Sequence, residues 1–70
     1  MPKYKEIALA LKERIVEGKY QEGSKLPEQE SLAREFKTSC VTIRKAIQLL
    51  IDEGLLYPRS GTGTFIRSNI

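Results

Sequence analysis

Tyr4, Ile7, Ala8, Leu11 and Ile15 recur at spacings of three and four, the period that lines one face of an α-helix. Lys5, Lys12 and Glu13 fall largely outside that stripe. The pattern predicts a first helix over about residues 3–17, with Gly18 as its C-terminal cap. Residues 19–27, KYQEGSKLP, read as a turn and a short extended piece ending at Pro27. A second helix follows from about Glu28 to Phe36 or Lys37, with Leu32, Ala33 and Phe36 inward. Lys37, Thr38 and Ser39 make a tight connection, and Ser39 can cap the next helix by accepting one of its orphan N–H groups. That third helix covers about residues 40–53, has Ile43, Ala46, Ile47 and Leu50 inward, and ends at Gly54. The period then changes. Residues 55–57 are short and apolar, PRSGTGT is a turn-rich loop, and residues 64–67 alternate as a strand does. Residues 68–70 are expected to fray or to begin a linker. The fold predicted is mainly α (α+β): three helices and a C-terminal two-stranded β-hairpin.

Composition narrows what such a fold can do. Seventy residues allow one domain, over residues 1–70, and a domain this short is often marginal without disulfides or a metal. There is no His and a single Cys, so neither a zinc site nor an internal disulfide can be assembled, and no cofactor is expected. A lone Cys also suits a reducing cytoplasm. Stability must come from packing, for which 40% hydrophobic residues suffice. No apolar run is long enough to span a bilayer, and charges flank the apolar residues of the first fifteen positions, unlike a signal peptide. The net charge of +3 permits nucleic-acid binding without requiring it. Its distribution says more. Arg44 and Lys45 are the only charges between Val41 and Asp52, and Arg59 and Arg67 the only ones from Leu55 onward.

Two short helices joined by a three- or four-residue turn, the second polar on its outer face, describe a helix-turn-helix, here over about residues 28–48. The B-DNA major groove admits one α-helix, which needs short polar and cationic side chains near its N-terminus to reach base edges and phosphates. With its apolar stripe turned inward, the third helix leaves Cys40, Val41, Thr42, Arg44, Lys45 and Gln48 outside. Its N-terminus adds free N–H groups and the positive end of the helix dipole. The hairpin, over about residues 55–67, supplies a second element. Arg59, Ser60, Gly61, Thr62, Gly63 and Thr64 make a basic tip without bulk, able to approach a sugar-phosphate wall or enter a minor groove.

These residues resemble the GntR family of bacterial regulators, most closely its HutC-type branch. The resemblance runs from Tyr4 and Ile7 through Gly18 and Tyr20, GSKLPEQESLAREF and TIRKAIQLLIDEGLLYPRSGTGTF, nearly the whole chain. It implies a winged helix-turn-helix with residues 40–53 in the major groove and wing residues 59–64 in the minor groove. It implies a two-fold dimer on a palindromic DNA operator, repression as the usual mode, and a bacterial, cytoplasmic, nucleoid-associated setting. The family's DNA contacts carry over to Ser39, Thr42, Arg44, Ser60, Gly61 and Thr62, and Cys40, Val41, Lys45 and Arg59 stand beside them. The family continues into an effector-binding domain that binds a small metabolite and supplies most of the dimer contact. This chain is therefore expected to be one piece of a longer homodimeric protein, monomeric or weakly dimeric by itself. Three positions depart from the family pattern: Glu28 where Ser is usual, and Glu30 and Cys40 where Arg is usual. A changed operator is expected, or weaker binding compensated elsewhere.

Competing readings are simpler. Arg44 and Lys45 could be a solvated helix face. Cys40 could be a redox switch, thiolates being favoured at helix N-termini. The glycines of the hairpin do not follow a strand and open a helix, as a nucleotide loop requires. Glu28, Glu30 and Glu35 lack a His or a pocket for acid–base work, and no nucleophile–base pair suggests an enzyme. The remaining alternative is a winged-helix module that docks a protein partner, which would expose apolar residues on the third helix.

Overall fold

The computed structural model describes residues 2–67, so the expectation for residues 68–70 lies outside the described residues. The first helix, α1, spans Lys3–Val16. It ends where Gly18 takes φ +83, letting Lys19 N donate to the Arg14 carbonyl at 2.9 Å. The second, α2, spans Gln29–Phe36 with Glu28 as its N-cap. The third, α3, spans Cys40–Asp52, and Ser39 Oγ accepts from Thr42 N at 3.3 Å as predicted for the cap. The turn between α2 and α3 depends on Lys37, which adopts the left-handed conformation (φ 56, ψ 51) without being glycine.

The inward stripes converge on α3. Ile43, Ala46, Ile47 and Leu50 are buried between α1, represented by Ile7, Ala8, Leu11 and Ile15, and α2, represented by Leu32 and Ala33. Tyr4 and Phe36, predicted inward, are half-buried at the edge of this core. Each fully buried Leu or Ile contributes on the order of 1.5–3 kcal/mol, and dispersion among them replaces the disulfides the chain lacks.

Strands β1 (Leu56–Arg59) and β2 (Gly63–Ile66) pair antiparallel with Leu56 opposite Ile66, Tyr57 opposite Phe65, Pro58 opposite Thr64 and Arg59 opposite Gly63. β1 is one residue longer, and the loop shorter, than the period change indicated. Pro58 sits within β1 because that strand is an edge strand, where a residue without N–H forfeits no ladder bond. Residues 23–26 run along the other edge of β2. Gly23 N donates to Ile66 O, Ile66 N to Ser24 O, and Leu26 N to Thr64 O, each at 2.8 Å, with Lys25 bridging Phe65. The extended piece after α1 is thus a short third strand. Through buried Leu26, Leu55, Leu56 and Ile66 it joins the hairpin to the helical core. The architecture is a winged helix-turn-helix: α2 and α3 form the paired helices and the hairpin forms the wing.

Candidate nucleic-acid interface

The N-terminal turn of α3 is polar on its outer side. Ser39 caps it, and Ser39 Oγ lies 3.2 Å from Thr42 Oγ1, which fixes the Thr42 hydroxyl against the cap. Val41, Arg44 and Lys45 are exposed, and the turn carries no acidic residue. Cys40 is half-buried and packs partly against the core, so it is less open than its place on the outer arc implied. Lys45 turns toward α1, its Nζ 5.9 Å from the centre of the Tyr4 ring. Arg44 and Lys45, adjacent in sequence, therefore serve different parts of the surface.

The wing tip is a tight turn. Thr62 N donates to Arg59 O at 3.1 Å, Thr62 Oγ1 donates to Ser60 O at 3.2 Å, and Gly61 takes φ +74, a conformation that costs a residue with a Cβ. Ser60, Gly61 and Thr62 are exposed. Along the wing's outer face, alternation aligns four side chains. The Arg59 guanidinium lies 5.5 Å over Phe65, Phe65 stacks on Tyr57 at 5.9 Å, and Arg67 lies 6.0 Å over Tyr57. This cation–ring–ring–cation ladder stiffens Arg59 behind the tip, each contact adding on the order of 0.5–1 kcal/mol at an exposed site.

Between α3 and the wing lies an open concavity of about 520 Å³. Cys40 and Arg44 reach it from α3, Gly63 and Thr64 from β2, Lys25 from the third strand, and Glu28 and Glu30 from the start of α2. Of the predicted contacts, Cys40 and Arg44 meet here, whereas Ser60, Gly61 and Thr62 stand apart at the tip. Lys25 and the stacked Tyr57–Phe65 pair were not singled out from the sequence. The ladder has a readable signal, since i, i+2 spacing puts Phe65 with Arg67 and Tyr57 with Arg59. Lys25 has a fainter one, lying between Ser24 and apolar Leu26 in an extended segment.

Away from this surface, Arg14 joins α1 to α2. Its guanidinium binds Glu35, donates to Tyr20 Oη at 3.1 Å and lies 5.2 Å over Phe36. The Glu35 and Tyr20 hydrogen bonds hold the guanidinium in its charged form, and Arg14 in turn holds the Glu35 carboxyl below its ordinary pKa. Among the described residues, no group of His, Cys, Asp and Glu could hold a metal, and no helix is long and apolar enough to cross a membrane.

Comparison with known proteins agrees with this geometry. Residues 3–66 match the family model described as bacterial regulatory proteins, gntR family. The transcriptional regulator GmuR of Bacillus subtilis is 41% identical over 66 residues, covering 94% of this chain and 28% of GmuR. The transcriptional repressor NagR of the same organism is 39% identical over 66 residues, covering 94% of this chain and 27% of NagR. The DNA-binding domain of AraR, solved in complex with operator ORX1, superposes with a TM-score of 0.89 at 39% identity, covering 94% of this chain and 80% of that one. The chain spans less than a third of the length of curated relatives such as GmuR and NagR.

Proposed function

The chain belongs to the GntR family of bacterial regulatory proteins, and from that membership we propose that it reads double-stranded operator DNA as part of a transcription regulator. The observation that carries the reading is the acid-free, capped N-terminus of α3 set beside a glycine wing, on a domain closely similar to one solved on its operator. In this reading α3 enters the major groove, Ser39, Val41, Thr42 and Arg44 approach bases and phosphates, and Lys45, turned toward Tyr4, meets a phosphate at the flank. The tip formed by Arg59, Ser60, Gly61 and Thr62 enters the adjacent minor groove. Phosphate contacts position the domain, and base-edge contacts from Thr42 and Arg44 give it sequence preference.

Repression is the proposed mode, since a relative such as NagR is a repressor. The motif run from GSKLPEQESLAREF to the wing supports a place on the HutC-type branch. A two-fold dimer on a palindromic operator, with a metabolite bound by a further domain of the longer protein, completes the proposal. The setting is the bacterial cytoplasm, on the nucleoid. The test is titration of labelled duplex at several salt concentrations, followed by selection of bound sites from a random library. Affinity falling steeply with salt is expected, because phosphate neutralisation releases counterions. Absence of salt-dependent binding would favour a protein-docking module. Against that module, Val41 is the one large apolar residue exposed on α3 among the described residues.

A further inference from the structure

Lys25 has no role in the reading above, yet the fold places it with care. The third strand fixes its backbone against β2 through the bonds of Ser24 and Leu26 on either side. Its side chain then crosses the wing at Gly63. A Cβ added to Gly63 would lie 2.7 Å from Lys25 Cε, closer than carbon atoms approach one another. The bare glycine leaves room for the flexible end of the lysine stem to lie across the wing, beside the concavity that both residues line with Arg44. Glu28 and Glu30 line the same concavity, but neither comes within ion-pair distance of Lys25 or Arg44 among the described residues. Both cations are free to meet an external anion.

We propose that Lys25 is a further DNA contact, its ammonium binding a backbone phosphate between the stretch read by α3 and the stretch entered by the wing. The inference rests on the DNA reading above and deepens it. An ammonium on a flexible stem is a point charge without the planar fork that reads guanine, so Lys25 suits phosphate rather than bases. It positions the duplex and leaves sequence preference to α3. Gly63, at φ +132, is favoured by its own backbone as Gly61 is at φ +74, and it also leaves room for the lysine.

The variant Lys25→Met keeps the stem and removes the charge. It is measured by fluorescence anisotropy on a labelled pool of random-sequence duplex and on a selected site, over a salt series, beside the wild type and Lys25→Arg. The salt slope of Lys25→Met is expected to be shallower by about one unit, and that of Lys25→Arg to match the wild type. Between about 50 and 200 mM salt, the wild type then loses about three- to fourfold more affinity than Lys25→Met. The low-salt loss on mutation is expected to be equal on pool and selected site. A Lys25→Met slope and affinity equal to wild type overturn the contact while leaving the DNA reading intact. A loss confined to the selected site overturns the phosphate assignment. A wild type without salt-dependent binding overturns the DNA reading and this inference together.

Discussion

Replacing Ser39 separates what the α3 cap does for the fold from what it does for the ligand. Ser39 Oγ accepts the Thr42 N–H at 3.3 Å, toward the long end of hydrogen-bond distances, and the residue is exposed. Losing an N-cap costs about 0.5–2 kcal/mol, and a long, exposed bond belongs to the lower half of that range, about 1 kcal/mol. A chain of this size holds roughly 4–10 kcal/mol of total stability, so the loss is measurable without being fatal. In a domain this small, about 1 kcal/mol moves the midpoint by roughly 4–8 °C. Ser39→Ala is therefore expected to melt several degrees lower by far-UV circular dichroism, and Ser39→Gly to lose only a few tenths of a kcal/mol. Ser39→Asp retains a capping oxygen and adds an anion at the positive end of the helix, so it should melt at or above the wild-type temperature. Its duplex affinity should nevertheless fall, because that anion faces phosphate. Two results would refute the reasoning. A Ser39→Ala midpoint equal to wild type would show that the cap carries no stability. Undiminished duplex binding by Ser39→Asp would show that the α3 N-terminus does not face DNA.

Three other perturbations follow from the same geometry. Arg14 holds the Glu35 carboxyl below its ordinary pKa, so this link stabilises above the unfolded pKa and is lost as pH falls through the folded one. The pair is part-exposed and screened, worth at most about 1 kcal/mol. The stability gap between wild type and Glu35→Gln should therefore close below about pH 4, and a gap independent of pH would count against the link. Lys37→Gly relieves a left-handed residue, which costs about 1 kcal/mol, and should raise the melting temperature by a few degrees. An unchanged or lower midpoint would show that the lysine stem repays that strain. Cys40→Arg places a guanidinium on the concavity beside Arg44. Higher affinity and a shifted site preference are expected, a bidentate Arg–guanine pair discriminating by about 1–3 kcal/mol, and binding identical in both respects would reject the contact.

The helices were legible because each carries a complete apolar stripe and a terminal signal: Gly18, Ser39 and Gly54 all stand where the structure uses them. The boundaries of α1 and α3 fall one residue short of the periodic reading, at Val16 and Asp52, because Glu17 and Glu53 take the cap positions. What escaped reading is non-local. A third strand attached through one bridge has too few residues to show a period, so residues 23–26 looked like connection only. The Arg14–Glu35 pair joins residues 21 apart, with no helical spacing to announce it. Lys37 gave no warning of its left-handed backbone, since Gly or Asn is the usual occupant. At the site, the α3 residues and the wing tip were readable as separate segments. That Cys40 and Arg44 share a concavity with Lys25 and Gly63, and that Lys45 turns away to Tyr4, depends on packing.

The third strand also explains how two short elements can read one duplex. An isolated two-stranded hairpin is marginal in water, and a wing free to swing would have to be ordered at each binding event. Here β2 is hydrogen-bonded on both edges, to β1 and to residues 23–26. Leu26, Leu56 and Ile66 enter the same core as Ile43, Ile47 and Leu50 of α3. The base of the wing and the inward face of α3 thus pack into one apolar body, and the concavity between them is formed before any ligand arrives. The Arg59–Phe65–Tyr57–Arg67 ladder extends that order along the strands toward the tip, leaving the exposed turn at Ser60, Gly61 and Thr62 as the part that can adjust. A core substitution beneath β2 should accordingly disturb the wing and α3 together, whereas a substitution in the turn acts on the tip alone.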